Sequence, residues 1–211
     1  MHRLFGFQGA GSAAVEVALH WVGEPFENVA AASWAADSAL EALREVNPLM
    51  QIPTLQWADG TVMSESAAIL IELGLRYPAS GLLPMAASER ARVLRGLVFI
   101  AANCYSAISV SDYPERWLAL PDEAAQANLR AGTRARLHAH WLVFADTFWD
   151  GDSAYLQGAQ PGALDLLAGV VSKWSGTRSH LAVERPDFCA LLQRVEQHPK
   201  VAPVFARHWA A

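Results

Sequence analysis

Two stretches decide the fold. Residues 47–55 read Asn47-Pro48-Leu49-Met50-Gln51-Ile52-Pro53-Thr54-Leu55. Beyond the turn pair Asp59-Gly60, residues 63–69 read Met63-Ser64-Glu65-Ser66-Ala67-Ala68-Ile69. A strand that opens with Ile-Pro suggests a cis peptide, because proline is tolerated there only as an edge residue or in a special turn. Such a turn would leave the N–H and C=O of Ile52 facing outward, free to pair with an extended peptide. A helix then begins at Ser64-Glu65-Ser66. Its free N–H groups and dipole favour a carboxylate, the Ser66 hydroxyl adds a donor, and Glu65 is an acceptor for an ammonium. A peptide-like ligand with a free amino-acid head would satisfy all of these groups. Taken singly, Pro53 starts a strand and Ser64 or Ser66 caps a helix; together, at this spacing, they read as a binding site.

Outward from that centre, the N-terminal part alternates short strands and helices. Leu4–Phe7 is an apolar run ending in the turn residues of Gln8–Ser12. Val15, Ala18, Leu19 and Val22 share a helix face over 13–22, and Gly23-Glu24-Pro25 stops it. Phe26–Ala31 reads as a strand, 37–46 as a short amphipathic helix, Ile52–Trp57 and Thr61–Met63 as a hairpin, and Ser64–Tyr77 as a helix. The order β-α-β-α-β-β-α implies a mixed sheet with helices on its faces. Past Pro78–Ala87 the strand signals stop. Ser88–Ser109, Glu123–Trp149, Leu164–Trp174 and Phe188–Gln197 read as helices. The predicted class is α/β plus all-α: a unit over 1–78, a linker over 79–87 and a helical unit over 88–211.

The 211 residues carry a net charge of −5, which excludes a surface that tracks phosphates throughout, so no nucleic acid is expected. The charge is uneven: residues 1–80 hold 3 basic and 9 acidic side chains, and residues 81–211 hold 13 and 12. Two cysteines, Cys104 and Cys189, exclude a disulfide framework and a four-cysteine zinc site and fit a reducing compartment. The N-terminus lacks the apolar core of a signal peptide, and no run approaches the roughly 18 apolar residues of a membrane span. The expectation is a soluble cytoplasmic protein without a membrane association. His138-Ala139-His140 has a metal-like composition, but residues i and i+2 point apart on a helix, so no metal site is read there. Cys104, on an apolar helix, reads as a buried structural thiol. Trp34 and Trp117 fall in segments that could border a cleft.

The motif Asn47–Leu55, the Asp59-Gly60 turn and Met63–Ile69 resemble the glutathione site of cytosolic glutathione S-transferases of bacterial type. The apolar and proline spacing from Arg185-Pro186 to Trp209 extends the resemblance over essentially the whole chain. It implies a thioredoxin-like N-terminal domain, an all-helical C-terminal domain and glutathione as co-substrate. Carried over by position, Ile52, beside Pro53, pairs with the cysteinyl backbone. Glu65 and Ser66 hold the γ-glutamyl group, and Gln51 lies toward the glycyl carboxylate. Tyr105, Ser109 and Tyr113, spaced by four, border the pocket for a small apolar electrophile. Asp165 matches the family's helix-capping aspartate, although Gly162 stands where its Ser/Thr partner is usual, so half of a capping box is missing. The resemblance also implies a homodimer, in which acidic N-terminal and slightly basic C-terminal parts would pair across subunits.

The sequence departs from the family at the residue that activates the thiol. Phe5, Gly9 and Gly11 occupy the aligned tyrosine, serine and cysteine positions and lack the needed atom. Ser12 is the nearest hydroxyl, expected either to act on the sulfur or to cap the 13–22 helix. Gly9 and Gly11 would let sulfur approach the backbone at that helix start, where the dipole favours a thiolate. Three readings follow: a glutathione transferase acting in detoxification, a glutathione-dependent disulfide or peroxide reductase, and a non-catalytic binding or scaffold protein on the same fold.

Overall fold

The computed structural model describes residues 1–120 and 122–209; Pro121, which the sequence marks as a helix break, lies outside them. Four strands, β1 (His2–Gly6), β2 (Phe26–Ala30), β3 (Thr54–Gln56) and β4 (Val62–Ser64), form one sheet in the order β2-β1-β3-β4. The β1–β2 pair is parallel and needs a crossover, which is helix α1 (Ser12–Val22). The β1–β3 and β3–β4 pairs are antiparallel, with Leu4 opposite Leu55 and Leu55 opposite Met63. Neighbouring side chains on a strand point to opposite faces. Leu4 therefore enters the main core shared with α1 and α3 (Ser66–Arg76), and Phe5 packs on the other face with Ala31 and with Leu43 of α2 (Leu40–Val46).

The helical part starts with α4 (Ala87–Phe99), which runs without a break through a π-helical stretch, Ile100–Tyr105, into α5 (Ser106–Asp112). This corrects the reading of the apolar runs. Ala87–Asp112 is 26 residues long and contains a window of mean hydropathy 1.6, long and apolar enough by length and composition to cross a membrane. Here its inner face, with Val93, Leu97, Ile100, Cys104 and Ile108, lies in the protein core. Helix α6 (Glu123–Phe148) is capped by Asp122, whose carboxylate accepts from the Ala125 N–H at 2.9 Å.

Helix α7 (Ala163–Val171) is apolar on every side except at Asp165, and all nine of its residues are buried. It packs on α1, α3 and α4 and so joins the two parts of the chain. The Asp165 carboxylate accepts the N–H groups of Gly162 (3.0 Å) and Leu156 (2.8 Å), which is the half of the capping box that does not need a side chain at 162. Helices α8 (Thr177–Glu184), α9 (Pro186–Gln197) and α10 (Ala202–His208) complete the order. The sequence reading had no helix at α8 or α10.

Candidate functional site

A cleft of about 700 Å³ lies between the sheet domain and the α4–α5 helix. Its sheet-domain wall is built from the residues that open the sequence argument. Asn47 and Thr54, both buried, hold the connection between α2 and β3 in shape. The Asn47 amide donates to the Thr54 hydroxyl (2.9 Å) and to the Gln51 carbonyl (3.2 Å), and the Thr54 hydroxyl donates to the same carbonyl (2.7 Å). The Asn47 side-chain oxygen accepts the Leu49 N–H at 3.1 Å. The Ile52–Pro53 peptide is cis, as the sequence suggests. Ile52 and Pro53 line the cleft, and the Ile52 N–H and C=O pair with no described residue. Gln51 is exposed at the rim.

The head of α3 forms the next wall. Glu65, at φ 66° and ψ 109°, holds a left-handed backbone that a residue with a Cβ adopts only at a cost of about 1–3 kcal/mol. This bend exposes its carboxylate and turns Ser66 into the cleft; Ser66 is 6% exposed, and its hydroxyl has no partner among the described residues. An acceptor and a donor thus stand side by side at the positive end of an 11-residue helix.

The third wall is the loop before α1. Gly9, at φ 74°, donates its N–H to Nδ1 of His208 on α10 at 3.1 Å. Gly11 is bare where it faces the cleft: a Cβ built there would overlap the Tyr105 hydroxyl. Tyr105 closes the π-helical stretch and sits edge-on to Trp174 with ring centroids 5.6 Å apart. Burial, and secondarily the charge of Glu65, push its phenol well above the ordinary value, so it stays protonated at neutral pH. Ser109 and Tyr113 continue this wall, with Arg116 over the Tyr113 ring at 3.9 Å.

Ser12 is not part of the cleft. Its hydroxyl accepts the Phe7 N–H (3.2 Å) and donates to the Phe7 carbonyl (3.3 Å), closing the loop behind the first strand. The residue is 2% exposed and borders a separate cavity of about 230 Å³ with Glu16, Arg207 and His208. It does not cap α1 through its side chain either, since Gly11 is the N-cap. The expectation of a catalytic Ser12 is therefore corrected: the chain turns at Gly9–Gly11 so that Ser12 points away from the space where Gly11 and Tyr105 meet.

The weaker motifs resolve plainly. Trp34 lines the cleft; Trp117 does not. Cys104 is fully buried, and burial alone pushes its thiol up to about 12. His138 is bound to the Ser175 carbonyl (3.0 Å) and His140 to the Asn103 carbonyl (3.0 Å), so each imidazole serves the backbone. Sequence reasoning missed Asn47, Thr54 and Trp174. An Asn followed three residues after the Asn-Pro by Gln-Ile-Pro-Thr was a signal for the staple; Trp174, brought in from distant sequence, carried none.

These features define a class: a thioredoxin-like domain with an unpaired backbone edge at Ile52, joined to an all-helical domain across a cleft. Residues 12–75 match the family model for the glutathione S-transferase N-terminal domain. Over 209 residues the chain is 28% identical to the uncharacterized GST-like protein YncG of Escherichia coli K12, covering 99% of this chain and 98% of that protein. It is similar to BphK, a bacterial GST solved as a ternary complex, with 26% identity, TM-score 0.78 and coverage of 96% and 97% of the two chains. A glutathione transferase homologue from Sulfitobacter, solved with bound glutathione, has the same fold at 21% identity and TM-score 0.82, over 97% and 96% of the chains. The match to the glutathione S-transferase N-terminal domain thus lies in the sheet domain, and over nearly its whole length the chain is similar to bacterial GST-like proteins.

Proposed function

We propose that the protein is a glutathione transferase: it binds glutathione against the sheet domain and joins its sulfur to a small apolar electrophile held by the helical domain. One observation carries this reading. The free Ile52 backbone pair, the Glu65 carboxylate and the unpartnered Ser66 hydroxyl face one cleft, and together they match the extended backbone and free amino-acid head of a γ-glutamyl peptide. Glutathione bound in the Sulfitobacter homologue supports it. In this assignment Ile52, beside Pro53, pairs with the cysteinyl unit, Glu65 and Ser66 hold the γ-glutamyl head, Gln51 lies toward the glycyl carboxylate, and the sulfur points to Gly11. Tyr105, Ser109 and Tyr113 border the electrophile. Held together, the two reactants gain from proximity, and the head of α1 favours the thiolate.

The division into a sheet domain over 1–78, a linker over 79–87 and a helical domain over 88–211, a cytoplasmic location and a role in detoxification belong to the same reading. So does a homodimer: Leu75 on α3 and Val98 on α4 are exposed apolar side chains that a second copy would cover. Cys104 and Cys189 are both buried and do not line the cleft, so no described cysteine is placed to form a mixed disulfide with glutathione.

The test is calorimetric titration with glutathione, followed by turnover of an aryl chloride. Binding with formation of the thioether is the expected result. Binding without turnover of any electrophile would point to the scaffold reading instead.

A further inference from the structure

We propose that the Tyr105 hydroxyl, delivered from the helical domain, is the side chain that holds the ionised sulfur of glutathione over Gly11. This rests on the transferase reading above. On the sheet domain, the positions aligned with the family's thiol-activating residues, and the neighbouring Ser12, offer no free side chain for the task. Phe5 is packed on the α2 face of the sheet, Gly9 and Gly11 have no side chain, and the Ser12 hydroxyl is engaged with the Phe7 backbone. At that same point the helical domain supplies a hydroxyl, so close to the Gly11 Cα that no larger residue fits beneath it.

The approach is built, not incidental. A π-helical stretch, a form enriched at functional sites, ends at Tyr105. Its Asn103 amide donates to the Phe99 carbonyl (3.1 Å), and its Asn103 carbonyl is taken up by His140 Nδ1 (3.0 Å), which holds the widened turn in place. The Trp174 edge fixes the tyrosine ring. The hydroxyl itself makes no hydrogen bond to any described residue, so it is free for a ligand.

The chemistry balances without a proton on loan from the tyrosine. The glutathione S–H gives its proton to solvent water, and Tyr105 donates a hydrogen bond to the resulting thiolate while keeping its own proton. Sulfur attacks the aryl carbon that bears chloride; the S–C bond forms, and the C–Cl bond breaks with its electron pair leaving as chloride. A hydrogen bond to an anion lowers the thiol pKa but also tempers its nucleophilicity, so the gain is confined to pH below the pKa of the unassisted thiol.

The test is Tyr105→Phe in the full chain, followed by the thiolate absorbance of bound glutathione and by aryl chloride turnover, both against pH. The bound thiol is expected to titrate about one to two pH units higher. Turnover falls about 3- to 12-fold below both pKa values and returns to the wild-type level or above it at high pH. A merely structural role would lower turnover equally at every pH. An unchanged thiol titration overturns the assignment while leaving the transferase reading intact; wild-type protein that binds no glutathione overturns both. Gly11→Ala serves as the second variant. Its Cβ displaces the hydroxyl with Tyr105 still present, and it is expected to raise the thiol titration as Tyr105→Phe does. An unmoved titration there also counts against the role.

Discussion

Ser66 and Ser12 show how little the residue type says without its surroundings. Both are buried serines at the start of a helix. Ser66 keeps a free hydroxyl beside the Glu65 carboxylate and at the positive end of α3; Ser12 has spent its hydroxyl on the Phe7 backbone. Ser66→Ala is therefore expected to weaken glutathione binding by roughly tenfold or more, since a hydrogen bond to a carboxylate is worth about 1.5–3 kcal/mol. Ser12→Ala should cost about 1 kcal/mol of folding stability and leave the affinity of the folded protein unchanged. Calorimetry on the two variants, with urea unfolding alongside, checks both statements. A change below about threefold for Ser66→Ala would mean that the γ-glutamyl head is not at α3.

At the scale of elements, legibility followed pattern. The strand–helix order of the first 78 residues was readable because turn residues punctuate it and because a short sheet covered on both faces demands consecutive apolar residues such as Leu4 and Phe5. The Ile52–Pro53 strand start and the α3 head were readable for the same reason, since their chemistry is local. Strand β3 is shorter than the predicted Ile52–Trp57 because its first two residues are given to the cleft rather than to the ladder. Helix α8 was invisible: it starts after Ser175 and Gly176, both at positive φ, and only Thr177 and Leu181 along it are buried, too few to print a period. The meeting of Tyr105 with Gly11, 94 positions apart in the chain, is a product of packing and left no mark in either local sequence. Helix α7 shows the opposite case, in which one polar residue in an apolar run has a single purpose. Removing the carboxylate leaves the N–H groups of Gly162 and Leu156 buried and unpaired. Asp165→Ala is expected to cost about 3 kcal/mol in urea unfolding, with the cleft unchanged in whatever fraction remains folded.

At the scale of the whole molecule, helix α10 closes back on the sheet domain. His208 accepts from the Gly9 N–H through Nδ1, so its Nε2 carries the proton donated to Glu16 at 2.8 Å; Arg207 pairs with the other Glu16 oxygen. This ties α10 to α1 and to the loop where the sulfur is expected. Burial pushes the Glu16 carboxyl up, but the hydrogen bonds from His208 and Arg207 and the charge of Arg207 outweigh it and hold the group below its ordinary value. A depressed carboxyl stabilises the fold fully above its unfolded pKa of about 4.5 and loses that contribution as the pH falls through the lower folded value. Glu16→Gln should thus be less stable than the parent at neutral pH and converge with it in acid, as read by urea midpoints across that range; a constant difference at every pH would contradict the linkage. The same tie sets the geometry on which function depends, because it fixes the Gly9–Gly11 loop beneath the helical domain. The most direct test of the account is the ionisation of glutathione in the wild-type cleft, followed by the ultraviolet absorbance of the bound thiolate against pH. The cleft described here predicts a bound thiol titrating below the value near 8.5 of a free cysteine. A bound thiol that titrates where the free one does would contradict it.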